Sequence, residues 1–551
     1  MCHCPNYNFK GAAYYESTDN PEEEEKFLAD IKTNGGDITK RIFPSQQVAT
    51  YHTRIAIEKV KELKTLNQQQ VEESEESSHM ISELESQILF AIQILTSQPS
   101  IDHEEAESIV GRPYSDAMRK VYERFHDNAE VCYLYAESLM VLNAWKLYDY
   151  PTGKPLSEDV EEIENLLENA LQLHPKHAGL CHMYVHLCEM SSTPEKALPV
   201  ACQTLRTEFP HSGHLLHMPT HIDVLMGDYE ACIQYNLSAI VADEKVMRVS
   251  PDTSGVSSFY FGYIVHDYHM LVYGCILGGF EKLAMEKARE LNTYLTENIF
   301  VSNPDLAVYL ESYAALDIHV MVRFGRWEEI LQLPFPQNHT LMLYRSSSLH
   351  YARGLAFANT GNVKAAITEA NQFDELRLHE SAERHILHNN NIAQLLAVDS
   401  PMLHGEIAYK NGKYDESFAL LKQAVELSDG LQYDEPWGKM QPVRHALGGL
   451  LNEQGHHKEA ELVFRQDLKF HPRNPWALVG LIACLNNRLG VTGQSSCCKK
   501  KKDKTINMTA KEREDIEAEI KDLNIQLTEQ RQSPWADFNI VAPCACCIQP
   551  P

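Results

Sequence analysis

The chain has 551 residues, with 77 Asp and Glu against 49 Lys and Arg, and a formal net charge of −28. That acidity argues against a nucleic-acid-binding surface and favours basic or cationic partners over acidic ones. A hydrophobic content of 44% is ordinary for a folded chain, either of several domains or of one extended repeat array.

Residues 1–78 read as a divergent N-terminal region. The first 50 have no clear period and are expected to be partly disordered, Arg54–Leu66 has a helical pattern, and Glu72–Ser78 is an acidic linker. The opening MCHCPNYNFK has neither the basic nor the apolar stretch of a secretory signal. From 79 to 489 an all-α array is expected. Ile81–Gln98, Tyr114–Phe125, Glu130–Asn143 and Ser157–His174 are amphipathic at helical period, the last with the acidic start that the helix dipole favours. Turns are then expected at Ser191–Ser192 and at Gly227, Gly279, Gly325, Gly361, Gly412 and Gly455. Pro219, in HLLHMPTHI, either kinks a helix or begins one as its first residue. Residues 490–506 form a Cys/Lys-rich linker, with Lys499–Lys502 a solvated charge run. Residues 507–551 hold a charged helix, Met508–Gln530, and a tail whose Cys544, Cys546 and Cys547 offer thiols that either bind metal with Cys2 and Cys4 or, as expected for want of a scaffold, stay free. Cys132, Cys181, Cys188, Cys202, Cys232, Cys275 and Cys484 sit singly inside helical patterns, as reduced core thiols do, which points to the cytoplasm. No apolar run of about 18 residues occurs, so no membrane span is expected.

The spacing of small residues carries the repeat. In Met402–Leu427, Gly405 and Gly412 are seven apart, Ser417 follows five later and Ala424 seven after that. The register recurs at Gly448, Gly455 and Ala460, and at Gly354, Gly361 and Ala366. It is similar to that of tetratricopeptide repeats, where small residues let two helices approach and a glycine turns the chain between them. The resemblance implies a right-handed superhelical α-solenoid of helix pairs, the first helix of each lining a concave face. In that family the inward residues lie about 13, 10, 6 and 3 positions before the turn, one stripe at helical spacing.

Twenty-six histidines is high for this length, and that register gathers many of them. Before Gly227 it selects His214, His217 and His221; before Gly279, His266 and His269; before Ser192, His182, His186 and Glu189. His319 before Gly325 and His445 before Gly455 continue the stripe thinly. His182, His186, Glu189, His217, His221, His266 and His269 are candidate metal ligands, because imidazoles at i, i+3 or i+4 share one helix face and suit zinc, copper, iron or manganese. The competing reading is a polar groove whose histidines contact a bound protein or peptide.

Longer segments extend the resemblance. HMPTHIDVLMGDYEACIQYNLSAIVADE, HAGLCHMYVHLCEMSSTPEKAL, VRFGRWEEIL, LHYARGLAFANTG, LQYDEP, QPVRHALGGLL and HPRNPWALVGL resemble, in order, a mainly bacterial group of tetratricopeptide-repeat proteins marked by a His-Met-Pro-Ser/Thr-His-Ile segment. The similarity runs from Tyr114 to Leu485, and WADFNIVAPCACC resembles that group's ending. It implies that His182, His186, Glu189, His217, His221, His269, Arg353, Tyr433, Asp434, Glu435 and Arg444 occupy motif positions, but no activity. The chain departs from the group at 265–269, with Val-His-Asp-Tyr-His in place of Pro-His-Asn-Leu-His, and in its N-terminal region. His214, His319, Arg353, Tyr433, Asp434, Glu435 and Arg444 are the remaining ligand-binding candidates; the loop of Tyr433–Glu435 is either a gating loop or a solvated linker. No P-loop, dinucleotide fingerprint, G-x-S-x-G or H-E-x-x-H is present. Two functions follow: a solenoid scaffold for a protein or peptide, or a metal-binding protein or metal-dependent enzyme.

Overall fold

A computed structural model describes residues 82–96, 111–150, 152–256, 258, 260–491 and 508–547. The expectations for 1–78, including Cys2, Cys4 and the helical pattern of 54–66, and for 492–507, including Cys497 and Cys498, lie outside the described residues. The described chain is helical almost throughout, broken by two short antiparallel hairpins, Tyr148–Asp149 with Lys154–Pro155 and Ile386–Leu387 with Asn390–Asn391. It divides into two compact units, Met1–Phe209 and Pro210–Pro551.

In the first unit the amphipathic stretches become the helices Glu83–Thr96, Arg112–Phe125, Ala129–Met140 and Asp159–Leu173. Arg112–Phe125 buries Tyr114, Met118 and Val121, one stripe at i, i+4 and i+7. Asn128 begins the next helix by accepting from the Val131 amide at 3.1 Å. His177 does the same for Ala178–Glu189 through the Leu180 amide at 3.2 Å.

In the second unit, each of the turn glycines expected at 227, 279, 325, 361, 412 and 455 has positive φ, between 69° and 87°, where an L side chain is strained. Helices flank each of them; Ile392–Lys410 and Tyr414–Asp429, for example, bracket Gly412. Pro219 resolves as a helix start: Gly213–His217 ends, Met218 keeps helical angles, and Pro219–Met226 begins with the proline first. Phe464 is fully buried against Gly448 and Gly480, where an added Cβ would stand 2.7 and 2.3 Å from its ring. The charged helix Ala510–Arg531 opens on a capping box between Thr509 and Glu512 and buries Ile516, Leu523 and Leu527. No described helix is long and apolar enough to cross a membrane. No disulfide joins any of the ten described cysteines.

Candidate metal centre

The His217–His221 pair straddles the helix restart at Pro219, and the long helix Phe261–Gly278 brings His266 against it. One ligand nitrogen from each of His217, His221 and His266 lies within 4.8 Å of the others. The three side chains are almost sealed, His217 0%, His221 1% and His266 4% exposed. His217 Nε2 and His221 Nε2 are only 2.8 Å apart.

The groups behind these rings decide where their lone pairs point. His217 Nδ1 is 2.7 Å from Asn236 Oδ1 and 3.1 Å from Asp267 Oδ1. The Asn236 amide is oriented by its own Nδ2, which donates to the Cys232 carbonyl at 2.8 Å and to Thr220 Oγ1 at 3.1 Å. His217 Nδ1 thus faces acceptors and carries the hydrogen, leaving the Nε2 lone pair toward His221. His221 Nδ1 faces Glu435 Oε2 at 3.5 Å, so its Nε2 is turned the same way. The two Nε2 atoms, 2.8 Å apart, share a hydrogen or a cation between them.

His266 is the open member. Neither ring nitrogen has a hydrogen-bond partner among the described residues. Its ring lies 4.3 Å from His217 and 5.6 Å from His221 between centroids, and stacks on His388 at 4.5 Å. Burial, then the neighbouring His217, His388, His221 and His214 rings, push its basicity well below the ordinary histidine value, so it stands neutral with a lone pair to offer.

A carboxyl pair supports this floor. Asp267 and Asp243 are fully buried and both are raised by burial, strongly so for Asp267. Asp243 Oδ1 accepts from the Tyr260 hydroxyl at 2.7 Å. Gly213 leaves room for that carboxyl; a Cβ there would stand 2.0 Å from Asp243 Oδ1.

The other expected residues fall in different places. His269, one turn beyond His266, puts Nε2 3.0 Å from the Met440 sulfur and its ring edge on Tyr313. His214 stacks beside His217 at 6.0 Å and against Tyr263 at 4.7 Å. His319 is buried near Tyr344, with Nε2 unpartnered. In the first unit, His182 and His186 have rings 4.8 Å apart, and His186 Nδ1 is 2.7 Å from Glu189 Oε1. Arg353 is held by Glu369 and the Leu331 carbonyl, and Arg444 pairs both its terminal nitrogens with Asp429. The two arginines are thus engaged by internal partners.

The loop 433–435 is buried rather than a solvated linker. The second hairpin explains why: Asn389 Nδ2 donates to the Tyr433 carbonyl at 3.0 Å, and Asn390 Nδ2 to Asp434 Oδ2 at 3.2 Å. The same hairpin turns at His388, a non-glycine residue at φ 53°, and aims its Nδ1 at Asp434 Oδ1 at 2.9 Å. His388, Asp267, Asp243 and Asn236 were not selected by sequence register. His388 sits in a turn, and the others lie on helix positions that the inward stripe skips.

No protein-family model matches the chain, and no curated protein matches it.

Proposed function

We propose that the second unit binds one divalent transition metal ion through His217, His221 and His266, with Glu435 and the Asn236–Asp267 pair orienting the first two rings. The observation that carries the reading is His266, a buried neutral imidazole with both nitrogens unpartnered, beside two rings whose Nε2 atoms already converge. A tetrahedral ion with metal–nitrogen bonds of about 2.0–2.1 Å spaces its ligands about 3.4 Å apart. The observed separations, 2.8 Å for one pair and no more than 4.8 Å for all three, bracket that value. An all-imidazole set suits zinc, copper or iron, and three protein ligands leave a position at which the ion can polarise a water or a substrate oxygen.

The surrounding helices are read as tetratricopeptide-like pairs of a right-handed solenoid, a reading supported by the left-handed glycines at the expected turns. An extended peptide on the concave face is less well supported, because side chains exposed by 4% or less offer it nothing to touch. Elemental analysis of the chain, purified without a histidine tag and loaded in turn with zinc, copper, iron and manganese, tests the proposal. One equivalent should be lost on combining His217→Ala with His266→Ala while circular dichroism keeps its helical signal. Stoichiometry unchanged by that double substitution would overturn it.

A further inference from the structure

A second set of ligating atoms meets in the same unit, far along the chain. A Glu406 carboxylate oxygen and the Cys544 and Cys546 sulfurs lie within 4.8 Å of one another. Two of the three come from the C-terminal tail, whose thiols were expected to lack a scaffold. The tail is instead seated at several points. Asp537 accepts from the Glu281 and Lys282 amides at 2.7 and 3.0 Å, at the start of the helix Glu281–Tyr294. Phe538 packs on Trp476 and Phe324, at 5.7 and 5.0 Å. Lys410 Nζ donates to the Cys546 carbonyl at 3.0 Å. Gly449 completes the seat: a Cβ there would stand 2.6 Å from Cys547 Sγ and 3.0 Å from Pro543.

Between the tail and the helices lies a cavity of about 20 Å³ lined by Glu406, Cys544, Cys546, Met402, Tyr351 and Arg323, among others. It has room for one water or one ion. Arg323 is 2% exposed, stacks 3.6 Å over Trp476 and gives Nη2 to His445 at 2.9 Å, but its Nε has no partner among the described residues. A buried guanidinium donor left open points to negative charge at the cavity. Two thiolates and a carboxylate around a divalent cation carry a net single negative charge, which is the complement it lacks.

We propose that Cys544, Cys546 and Glu406 bind a zinc ion that latches the tail onto the second unit, with Arg323 balancing its charge. Binding converts the two thiols to thiolates and releases their protons to solvent, together with the Glu406 proton in the chains whose buried carboxyl holds one. Zinc–sulfur bonds of about 2.3 Å place tetrahedral ligands about 3.8 Å apart. The three donor atoms, already within 4.8 Å, close on the ion by about an ångström or less. The site is separate in residues and in donor type from the imidazole cluster, so it stands or falls independently.

Cobalt titration of the reduced full-length chain tests it, because thiolate-to-cobalt charge transfer gives a near-ultraviolet band that imidazole ligands do not. One equivalent should produce the band and zinc should bleach it. His217→Ala should keep it, and the Cys544→Ser, Cys546→Ser double variant should lose it at unchanged helicity. Absence of the band, or its survival in the double variant, overturns the proposal. Should that variant unfold, Glu406→Gln decides: it leaves both thiols, and cobalt affinity should fall at least tenfold. Unchanged affinity again overturns the assignment.

Discussion

The second unit buries histidines in two opposite ways. His445 is closed on both sides: Nδ1 accepts from Arg323 at 2.9 Å, and Nε2 meets Asp467 Oδ2 at 2.8 Å. Asn474 Nδ2 adds a donor to Asp467 Oδ2 at 3.0 Å and caps the helix Pro475–Leu489 through its own Oδ1. His266 is equally buried, yet neither nitrogen has a hydrogen-bond partner among the described residues. An unsatisfied buried polar group costs about 1–3 kcal/mol. A histidine that serves the fold is closed by partners, whereas one left open is tolerated where something else binds. Register alone treats His445 and His266 as equivalents on the same inward stripe; their partners separate them.

The largest effect should come from opening the closed site. Asp467→Ala removes the acceptor shared by His445 and Asn474 and leaves the buried Arg323–His445 contact without the carboxylate charge beside it. Breaking a buried charged network of this kind costs about 3–5 kcal/mol. Urea unfolding should show that loss at neutral pH, and a change below about 1 kcal/mol would mean that the network is not what holds these helices.

Closing the open site should act next. Metal at a hundred times its dissociation constant should stabilise the wild-type chain by about 2.7 kcal/mol through binding to the folded state alone. The gain should persist in the Cys544→Ser, Cys546→Ser background, where the thiolate site is gone, and vanish when His217→Ala is added to it. Thermal unfolding with and without zinc reads it directly, and an equal gain in that triple variant would break the comparison.

Acid should then reveal a second histidine of the open kind. His319 has Nε2 unpartnered, and burial, with Lys439 nearby, lowers its pKa to about 3. The unfolded chain binds a proton at the ordinary histidine value of about 6.5, while the folded chain does not until far lower pH. Stability linked to this group is therefore undiminished above about pH 6.5 and falls as the pH drops toward about 3. Between pH 7 and 5 it should cost the wild type roughly 2 kcal/mol more than it costs His319→Gln. Urea midpoints of the two chains at those pH values measure the difference; parallel loss would assign the acid sensitivity elsewhere.

What was legible in the sequence follows from what local spacing encodes. The turn glycines, the amphipathic helices and the convergence of His217, His221 and His266 all express periodicity within one element or between neighbours. The partners that distinguish open from closed sites do not. Asp434 reaches His388 across 46 residues, Arg323 reaches His445 across 122, and Lys410 reaches the Cys546 carbonyl across 136. Those pairings depend on how distant helices stack, which no single repeat records. His388 left one local sign, a histidine beside three asparagines in a turn tight enough to require positive φ. The tail left another in Trp535, Phe538 and Ile540, apolar residues that need a core to enter.

The smallest effect is the sharpest because its sign is opposite. In the metal-free chain at neutral pH, His266→Leu replaces an unpartnered imidazole by an aliphatic side chain of similar size. The polar cost of about 1–3 kcal/mol disappears. Part of the gain is offset, because the imidazole's ring contacts with His217 and His388 give way to packing of the leucine against the same rings. A net stabilisation of about 1 kcal/mol should remain, visible in urea with a chelator present, while metal uptake at the imidazole site is abolished. His445→Leu should do the reverse and destabilise, since it leaves Asp467 and Arg323 facing an apolar side chain. If both substitutions destabilise to the same degree, His266 is held by the fold after all, and the distinction between open and closed histidines fails with it.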